Sequence, residues 1–340
     1  MRYSSWRRDG SRQAAPRSPA SRRCRGFQNA VSAKDLVRMA AALVEMFVER
    51  IEVAPQRIIL DADATDDPTH GQQELEFYHG YYEEHCYLPL LVYASADGGA
   101  QELVAAVLRR IVERLRAAFP QAQIMLRGDA GLALPEVYDY CEATQLDYVI
   151  SLAKNSRLVE PAEPWLAQAR AIYAETGEKV RHFGAFSYAA ASLAQQRRVV
   201  VKAEVTAQGE NPRFVVTNLQ EADAAAIYDD LYTQRGDVEN RIKELKCDLA
   251  SGRTSCHRFL ANQFRLLLHA AAFVLMQGLR RLLAGTELAA AQVGTLRGKL
   301  LKVGARVRQT WRRIWVRMPT SYPWQRLWEL VLGKLAAGVT

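Results

Sequence analysis

The sequence predicts an α/β fold with a mixed, partly parallel sheet flanked by helices. From residue 122 onward, apolar strand-like segments alternate with helical segments, and this alternation is typical of β-α-β units. The strand-like segments 57–65 and 122–131 both end in acidic residues. The chain has 340 residues, 49% of them hydrophobic, which is enough for one large domain or two ordinary ones.

The first half of the chain divides into regular elements by its apolar periodicity. Ser32 suits the N-cap of the first helix, and Pro120 ends the second helix. The predicted elements are, in chain order, a helix at 32–50, strands at 57–65 and 86–94, a helix at 99–120, a strand at 122–131, a helix at 133–145 and a strand at 147–153.

The second half of the chain has a different pattern of predicted elements. Residues 155–226 resemble short strands around a loop and predict a β-rich insertion. Helices follow at about 228–249 and at 259–284. The apolar run of the second helix has 16 residues and contains His269 and Gln277, so we interpret it as a buried core helix rather than a membrane span.

Charge is distributed unevenly along the chain. The formal net charge is +8, and the arginines and lysines concentrate near the two ends. A basic protein with basic ends indicates a polyanionic partner, most simply a nucleic acid. Five scattered cysteines without a CxxC pattern, and the lack of an apolar leader, predict a reducing, cytoplasmic location.

Acidic residues stand at the ends of three predicted elements. Asp61 and Asp63 alternate on one strand, so both side chains point to the same face of the sheet. Asp129 ends a later strand, and Glu239 lies on a helix that flanks the sheet. Convergent carboxylates repel one another unless cations neutralise them, and they are ligands that Mg²⁺ prefers. Taken singly, each aspartate could instead simply favour a turn.

The helix near residue 239 carries a polar and an apolar stripe. At about 100° per residue, five polar side chains fall on one side and four apolar ones beside them. The polar set is Tyr232, Arg235, Glu239, Lys243 and Lys246, and the apolar set is Val238, Ile242, Leu245 and Leu249. One alternative is an ordinary exposed helix with ion pairs worth ~0.2–0.5 kcal/mol each.

Four separated segments carry a resemblance to a known family. Residues 232–246 match the pattern Y-x2-R-x3-E-x6-K, and the segments 60–82, 124–132 and 264–275 agree with it. In these motifs the chain resembles bacterial insertion-sequence DDE transposases of the Y-x2-R-x3-E-x6-K branch, the group named transposase DDE domain group 1.

The resemblance implies an RNase H-like sheet and a metal-dependent reaction on DNA. It implies that Asp63, Asp129 and Glu239 are catalytic and bind two Mg²⁺ ions, for which Mn²⁺ can substitute. Asp63 fits the family's D-x-T context better than Asp61, which would support Asp63 or replace it as a ligand. The side chains implied to bind DNA are Tyr232, Arg235, Lys243 and Lys246.

The implied activity is cleavage at the ends of a mobile element, followed by attack of the freed 3′-hydroxyl on target DNA. The expected partners are double-stranded DNA, as inverted repeats and target, and a second copy of the chain in a synaptic dimer. We expect no membrane association and a location on the bacterial nucleoid. Two alternatives remain open: a non-catalytic DNA-binding protein derived from a transposase, and a Mg²⁺-dependent nuclease without strand transfer.

The chain also departs from the family pattern. The family-like part begins near residue 24, which predicts an N-terminally truncated relative. Too few residues separate the strand at 86–94 from the next helix for a third antiparallel strand, so we expect a degenerate copy. The predicted regions are a disordered basic lead at 1–26, a helical remnant at 27–56, catalytic core at 57–154, a β-rich insertion at 155–226, further core at 227–285 and a basic helical region at 286–340.

Overall fold

The computed structural model describes residues 26–99, 102–104, 107–189, 195–252 and 254–337. The predicted basic lead lies outside the described residues except for its last residue. The strands are β1 (Arg57–Ala64), β2 (Asp67–Pro68), β3 (Phe77–His79), β4 (Glu84–Tyr87), β5 (Leu90–Ala96), β6 (Glu102–Leu103), β7 (Gln123–Gly128), β8 (Asp147–Leu152), β9 (Val180–Tyr188), β10 (Arg197–Thr206), β11 (Gly209–Glu210), β12 (Arg213–Thr217), β13 (Arg306–Gln309) and β14 (Ile314–Arg317).

The helices agree with several of the predicted positions. They are α1 (Ala33–Glu49), α2 (Leu108–Ala118), α3 (Pro135–Ala143), α4 (Ser156–Thr176), α5 (Gly236–Lys243), α6 (Phe259–Leu282), α7 (Val293–Leu296) and α8 (Gln325–Ala337). Ser32 caps α1 as predicted, because its side chain accepts a hydrogen bond from the backbone of Asp35 while the Asp35 carboxylate accepts one from the backbone of Ser32.

A mixed sheet with helices on both faces forms the centre of the molecule, as the sequence predicts. Its strand order is β11-β10-β12-β8-β7-β1-β5-β6, with β9 paired to β10. Strands β1, β7 and β8 run parallel, whereas β5 pairs antiparallel with β1, and β6 with β5. Three antiparallel strands followed by two parallel ones is the RNase H-like arrangement that the resemblance implies.

The third antiparallel strand is present, so the expectation that it is missing is wrong. The short strand β6 pairs with β5, and Leu103 lies opposite Tyr93. The sequence pattern places the residues of β6 in the next helix, but that helix begins only at Leu108. The turn is made at Asp97 and Gly98, both of which have positive φ. The structure therefore gives no support, through a missing strand, for a degenerate copy.

The predicted strand at 86–94 is divided in two. Leu88 and Pro89 separate β4 from β5, because a proline cannot donate to the strand ladder. Strand β4 instead pairs with β2 and β3 in a small separate sheet beside the central one.

The predicted β-rich insertion begins with a helix instead of a loop. Helix α4 is 21 residues long and contains Pro161 and Pro164, which hide its helical pattern in the sequence. The predicted strands that follow do form, but β12 pairs with β8. The segment therefore extends the central sheet.

The two faces of the central sheet bury different side chains. Ile58, Leu60 and Ala62 of β1 belong to a core that includes residues of α1, α2, α3 and α4. Asp61 and Asp63 alternate with them and face the opposite side, as predicted for a strand.

Helix α6 covers part of that opposite side of the sheet. Phe273 contacts Tyr93 of β5 with ring centroids 6.1 Å apart. The helix is 24 residues long, so the expectation that it is too short to span a membrane is wrong. By length and composition alone it could cross a bilayer, but Ala270, Phe273 and Met276 pack inside the molecule.

The predicted helix at about 228–249 is a composite of several helical forms. A π-helical segment (Ala226–Tyr232) and a 3₁₀ turn (Thr233–Arg235) precede α5, and a second π-helical segment (Glu244–Asp248) follows it. We call residues 226–248 the composite helix. Val238 and Leu245 are buried, as the apolar stripe predicts.

The C-terminal region is only partly helical, contrary to prediction. Strands β13 and β14 form an antiparallel ribbon between α7 and α8. Their sequence is rich in arginine and hydrophobic residues, and its alternation is short enough to be hidden among the flanking helical segments.

A buried ion pair joins β1, β7 and the composite helix. The Arg127 guanidinium donates two hydrogen bonds to the Asp61 carboxylate, both 2.7 Å long, and a third to the carbonyl of Leu231 at 2.6 Å. Both side chains are almost fully buried. Both carboxylate oxygens of Asp61 therefore accept hydrogen bonds from Arg127. This pairing disfavours the alternative that Asp61 replaces Asp63 as a metal ligand.

We predict that Asp61→Ala lowers the free energy of unfolding by about 3–5 kcal/mol, because it leaves the Arg127 charge buried without its carboxylate. Urea unfolding monitored by circular dichroism measures this decrease. The added substitution Arg127→Met should recover part of it, since it removes the uncompensated charge.

The matched control is Glu45→Ala. Glu45 accepts two hydrogen bonds from Arg114, each 2.6 Å long, but both side chains are at least a third exposed. Its removal should cost at most about 1 kcal/mol. Equal costs for the two alanine variants would contradict the structural role of Asp61.

Candidate active site

The ends of two adjacent parallel strands bring Asp63 and Asp129 to one edge of the sheet. Strand β1 pairs with β7 so that Asp61 lies opposite Arg127 and Ala62 opposite Gly128. One residue further, Asp63 is level with Asp129. Neighbouring strands lie about 4.8 Å apart, so the two backbones are adjacent at this point. Open α/β sheets commonly place their sites at this edge.

Arg235 of the composite helix connects Asp63 with Glu239. Its guanidinium donates a 2.6 Å hydrogen bond to the Asp63 carboxylate and lies 3.4 Å from a Glu239 oxygen. The side chains of Arg235 and Asp63 are 9% and 12% exposed, whereas that of Glu239 is 68% exposed. The arginine therefore holds the buried acid firmly and the exposed acid weakly.

The carboxylates of Asp129 and Glu239 are near enough to raise the pKa of the Asp63 carboxyl. The pKa of Asp63 is raised to about 6, mainly by burial and against the opposing effect of Arg235. The negative charges of Asp129, Glu239 and Asp61 contribute to the same upward shift. Asp63 thus lies in a pocket of accumulated negative charge, where a further cation would be electrostatically favoured.

The donor set suits a divalent cation, but Arg235 occupies part of the space. Carboxylate oxygens are preferred ligands of Mg²⁺. Among the described residues, no group of three acidic, histidine or cysteine side chains is arranged to hold a metal. Arg235 supplies positive charge between Asp63 and Glu239, so a base already offsets part of the repulsion among the acids.

Asp129 is held at the strand end by its own turn. Its side chain accepts a hydrogen bond of 2.9 Å from the backbone of Gly131, and caps the 3₁₀ turn Ala130–Leu132. This bond fixes the direction of the carboxyl group while leaving its other oxygen out of the cap. The aspartate therefore combines a turn-forming role with a position beside Asp63.

The irregular composite helix changes the geometry expected for the polar stripe. A regular helix would place Arg235 and Glu239 side by side at the edge of the core. The two side chains do lie side by side, 3.4 Å apart, but Arg235 is buried while Glu239 is exposed. The simple exposed-helix alternative therefore does not describe Arg235.

The other residues implied to bind DNA have different surroundings. Lys246 donates hydrogen bonds of 2.8 Å to the carbonyl and carboxylate of Asp66, close to the acids. The Tyr232 ring packs against Tyr228 with centroids 5.5 Å apart. Lys243 is exposed, and lines a groove between the composite helix and the segment that contains Ala290 and Gln292. Their role in binding DNA, like that of Arg235, stays a prediction.

Sequence reasoning missed two charged residues that position the site. Arg127 lies within a strand, where a lone arginine among apolar residues was the available signal. Glu244 is buried and accepts hydrogen bonds from Arg280 at 2.7 Å and from the backbone of Val293 at 3.1 Å. Because these partners are distant in sequence, no local spacing identifies Glu244. It anchors the composite helix to α6 and α7.

An exposed aromatic group lies beside the acids, and the sequence pattern did not reveal it. Tyr81 is 84% exposed and its ring lies 5.0 Å from that of Tyr82. Burial raises the pKa of Tyr82, and the charges of Asp63 and Asp129 raise it further. Exposed aromatic residues of the neighbouring strand β3 extend the group, namely Phe77 and Tyr78.

Comparison with solved structures gives a distant match. The cryo-EM structure of a piggyBac transposase synaptic complex with hairpin DNA matches with a TM-score of 0.37 and 11% sequence identity. The match covers 76% of this chain and 54% of that one, so the chain spans about half the length of the solved relative. No curated protein matches the chain.

The family comparison is far more extensive. The model of the family described as transposase DDE domain group 1 matches residues 6–339. The match begins at residue 6, well before residue 24, so the sequence expectation placed the start of the family likeness too late. The family model covers nearly the whole sequence. This match shows that the chain belongs to the transposase DDE domain group 1 family.

Proposed function

We propose that the chain is an insertion-sequence transposase that cuts DNA at the ends of its element and joins the freed 3′-hydroxyl to target DNA. Asp63, Asp129 and Glu239 are its catalytic residues. The observation that supports this proposal is the position of Asp63 and Asp129 at adjacent strand ends, with Glu239 linked to Asp63 through Arg235. DDE transposases in general use divalent metal ions, and this acidic site is suited to receive them.

Asp63, Asp129 and Glu239 would hold two Mg²⁺ ions, for which Mn²⁺ can substitute. Ions bound there would activate a water or a 3′-hydroxyl and stabilise the leaving oxygen. Arg235 must first give up its hydrogen bond to Asp63, which frees the guanidinium for a DNA phosphate. Arg235 thus neutralises the acids before the substrate and cations arrive.

The remaining polar residues of the composite helix would place the DNA backbone beside the acids. Lys246 and Lys243 supply positive charge, and Tyr232 lies one turn before Arg235. Cutting two element ends in one complex calls for two copies of the chain, so we propose a homodimer in the synaptic complex. The proposal places the protein on the bacterial nucleoid.

We predict that Glu239→Gln reduces cleavage of a duplex containing the element ends by at least about 100-fold, because the amide replaces a charged ligand. Denaturing gel electrophoresis of end-labelled DNA measures the cut product. Asp237→Asn is the matched control, since Asp237 is an exposed acid on the same helix. Full cleavage by Glu239→Gln would contradict the catalytic role of Glu239, whereas a wild-type protein that binds the duplex without cutting it would favour the non-catalytic DNA-binding alternative.

We predict that Mg²⁺ stabilises the wild-type protein against thermal unfolding, by about 2.7 kcal/mol at a hundred times its Kd. Differential scanning calorimetry in EDTA and in Mg²⁺ measures the change. Asp63→Asn should respond less to Mg²⁺, because it lacks one charged ligand. An equal Mg²⁺ response in Asp63→Asn would contradict the proposed ligand set.

Arg235→Met tests whether the arginine and the cations occupy the site alternately. In EDTA this variant should melt below the wild type, since Asp63 no longer has its counter-charge. In Mg²⁺ much of this destabilisation should be reversed, because the ions replace the missing positive charge. A destabilisation that Mg²⁺ leaves unchanged would contradict this exchange.

Strand transfer distinguishes a transposase from a Mg²⁺-dependent nuclease. A donor duplex ending in a 3′-hydroxyl at the element end is incubated with supercoiled plasmid and Mg²⁺. We expect joined donor–plasmid products, which Glu239→Gln should not form. Nicked plasmid without joined product would support the nuclease alternative.

A further inference from the structure

Strands β13 and β14 form a two-stranded ribbon with two chemically different faces. Residues that lie opposite each other in an antiparallel pair share a face. Arg306 lies opposite Arg317, and Arg308 opposite Trp315, so one face is cationic. The other face is mainly apolar and consists of Val307, Val316, Gln309 and Ile314.

The ribbon has little support from the rest of the molecule. Every residue of both strands is exposed, including the apolar ones. Isolated two-stranded hairpins are marginally stable in water, so a free ribbon of this kind gains from a binding partner. The hydrogen bonds between Thr310 and Arg313 stay within the ribbon's own loop.

The base of the ribbon, by contrast, is attached firmly. The indole nitrogen of Trp328 on α8 donates a 2.9 Å hydrogen bond to the carbonyl of Leu300. The Lys299 ammonium lies 4.3 Å from the centre of the Trp324 ring. Helix α8 itself packs into a core shared with α6. The ribbon therefore projects from a fixed base.

The charges on the cationic face are arranged unfavourably for the protein alone. Directly opposed like charges on a ribbon destabilise it, and Arg306 and Arg317 form such a pair. The segment 288–328 contains no acidic residue that could relieve this repulsion locally. An anion bound between the two arginines would turn the repulsion into attraction.

The loop at the tip of the ribbon also carries arginines and an exposed aromatic ring. Trp311 is 87% exposed, and the Arg312 guanidinium lies 4.5 Å from the centre of its ring. Arg313 follows directly. An aromatic ring flanked by arginines can contact both the phosphates and the sugar or base surfaces of DNA.

We propose that this ribbon is a DNA-binding arm that grips the phosphates of duplex DNA outside the active site. The DNA major groove admits a two-stranded β-ribbon, and arginine is well suited to phosphate contact. The inference rests on the proposed function only in taking DNA as the partner. It adds a second contact surface to the one beside Asp63, Asp129 and Glu239.

The test is the salt dependence of binding to fluorescein-labelled random-sequence duplex DNA, measured by fluorescence anisotropy in EDTA. The variant Arg306→Gln/Arg308→Gln/Arg317→Gln should bind about tenfold more weakly or worse at low salt. Its slope of log affinity against log salt should become shallower by about 1 for each phosphate that the variant no longer binds. Because no divalent ion is present, the result is independent of whether the acids cut DNA.

The matched control is Arg109→Gln/Arg110→Gln/Arg157→Gln, which removes the same charge from exposed positions on α2 and α4. These helices cover the opposite face of the sheet from the composite helix. The control should keep nearly the wild-type slope. An equal weakening in both variants, or an unchanged slope in the ribbon variant, would overturn the inference.

Two further variants keep the test decisive. Should the triple ribbon variant fail to fold by circular dichroism, Arg312→Gln/Arg313→Gln in the loop must show the reduced slope instead. Val307→Ser/Val316→Ser tests the apolar face by analytical ultracentrifugation. A change of oligomeric state in that variant, together with unchanged DNA binding in the arginine variants, would make the ribbon a contact between copies and refute the DNA-binding arm.

Discussion

Neutralisation of clustered carboxylates by two buried arginines is the constraint on which this structure depends. Asp61 and Asp63 point to the same face of β1, and burial disfavours their charged forms. Arg127 neutralises Asp61 from the neighbouring strand, and Arg235 neutralises Asp63 from the composite helix. Since Arg127 also bonds to the carbonyl of Leu231, the same contacts fix the composite helix against the sheet.

The two arginines differ in whether a bound cation can take over their role of neutralising a carboxylate. Arg127 has three hydrogen bonds in a closed, buried setting, which makes it a permanent part of the fold. Arg235 lies at the open end, between a buried acid and an exposed one. In the proposed transposase this arginine neutralises the acids of the site until cations and DNA bind. The ribbon would add DNA contacts that do not depend on the exchange of Arg235 for cations. DNA binding and DNA cleavage could therefore be altered separately.

Much of the fold and of the site could be predicted from local pattern. Alternation predicts the shared face of Asp61 and Asp63, and the apolar stripe predicts the burial of residues such as Val238. Features set by distant or irregular contacts could not be predicted. Strand β6 is two residues long and depends on a turn with positive φ at Asp97. Arg235 points inward to Asp63, which lies 172 residues away in sequence.

The most direct test of the central claim is anomalous X-ray diffraction from crystals of the protein grown with Mn²⁺. The account predicts manganese peaks bounded by the carboxylates of Asp63, Asp129 and Glu239, with the Arg235 guanidinium withdrawn from Asp63. Contradiction would come from crystals in which manganese binds elsewhere and Arg235 keeps its 2.6 Å hydrogen bond to Asp63.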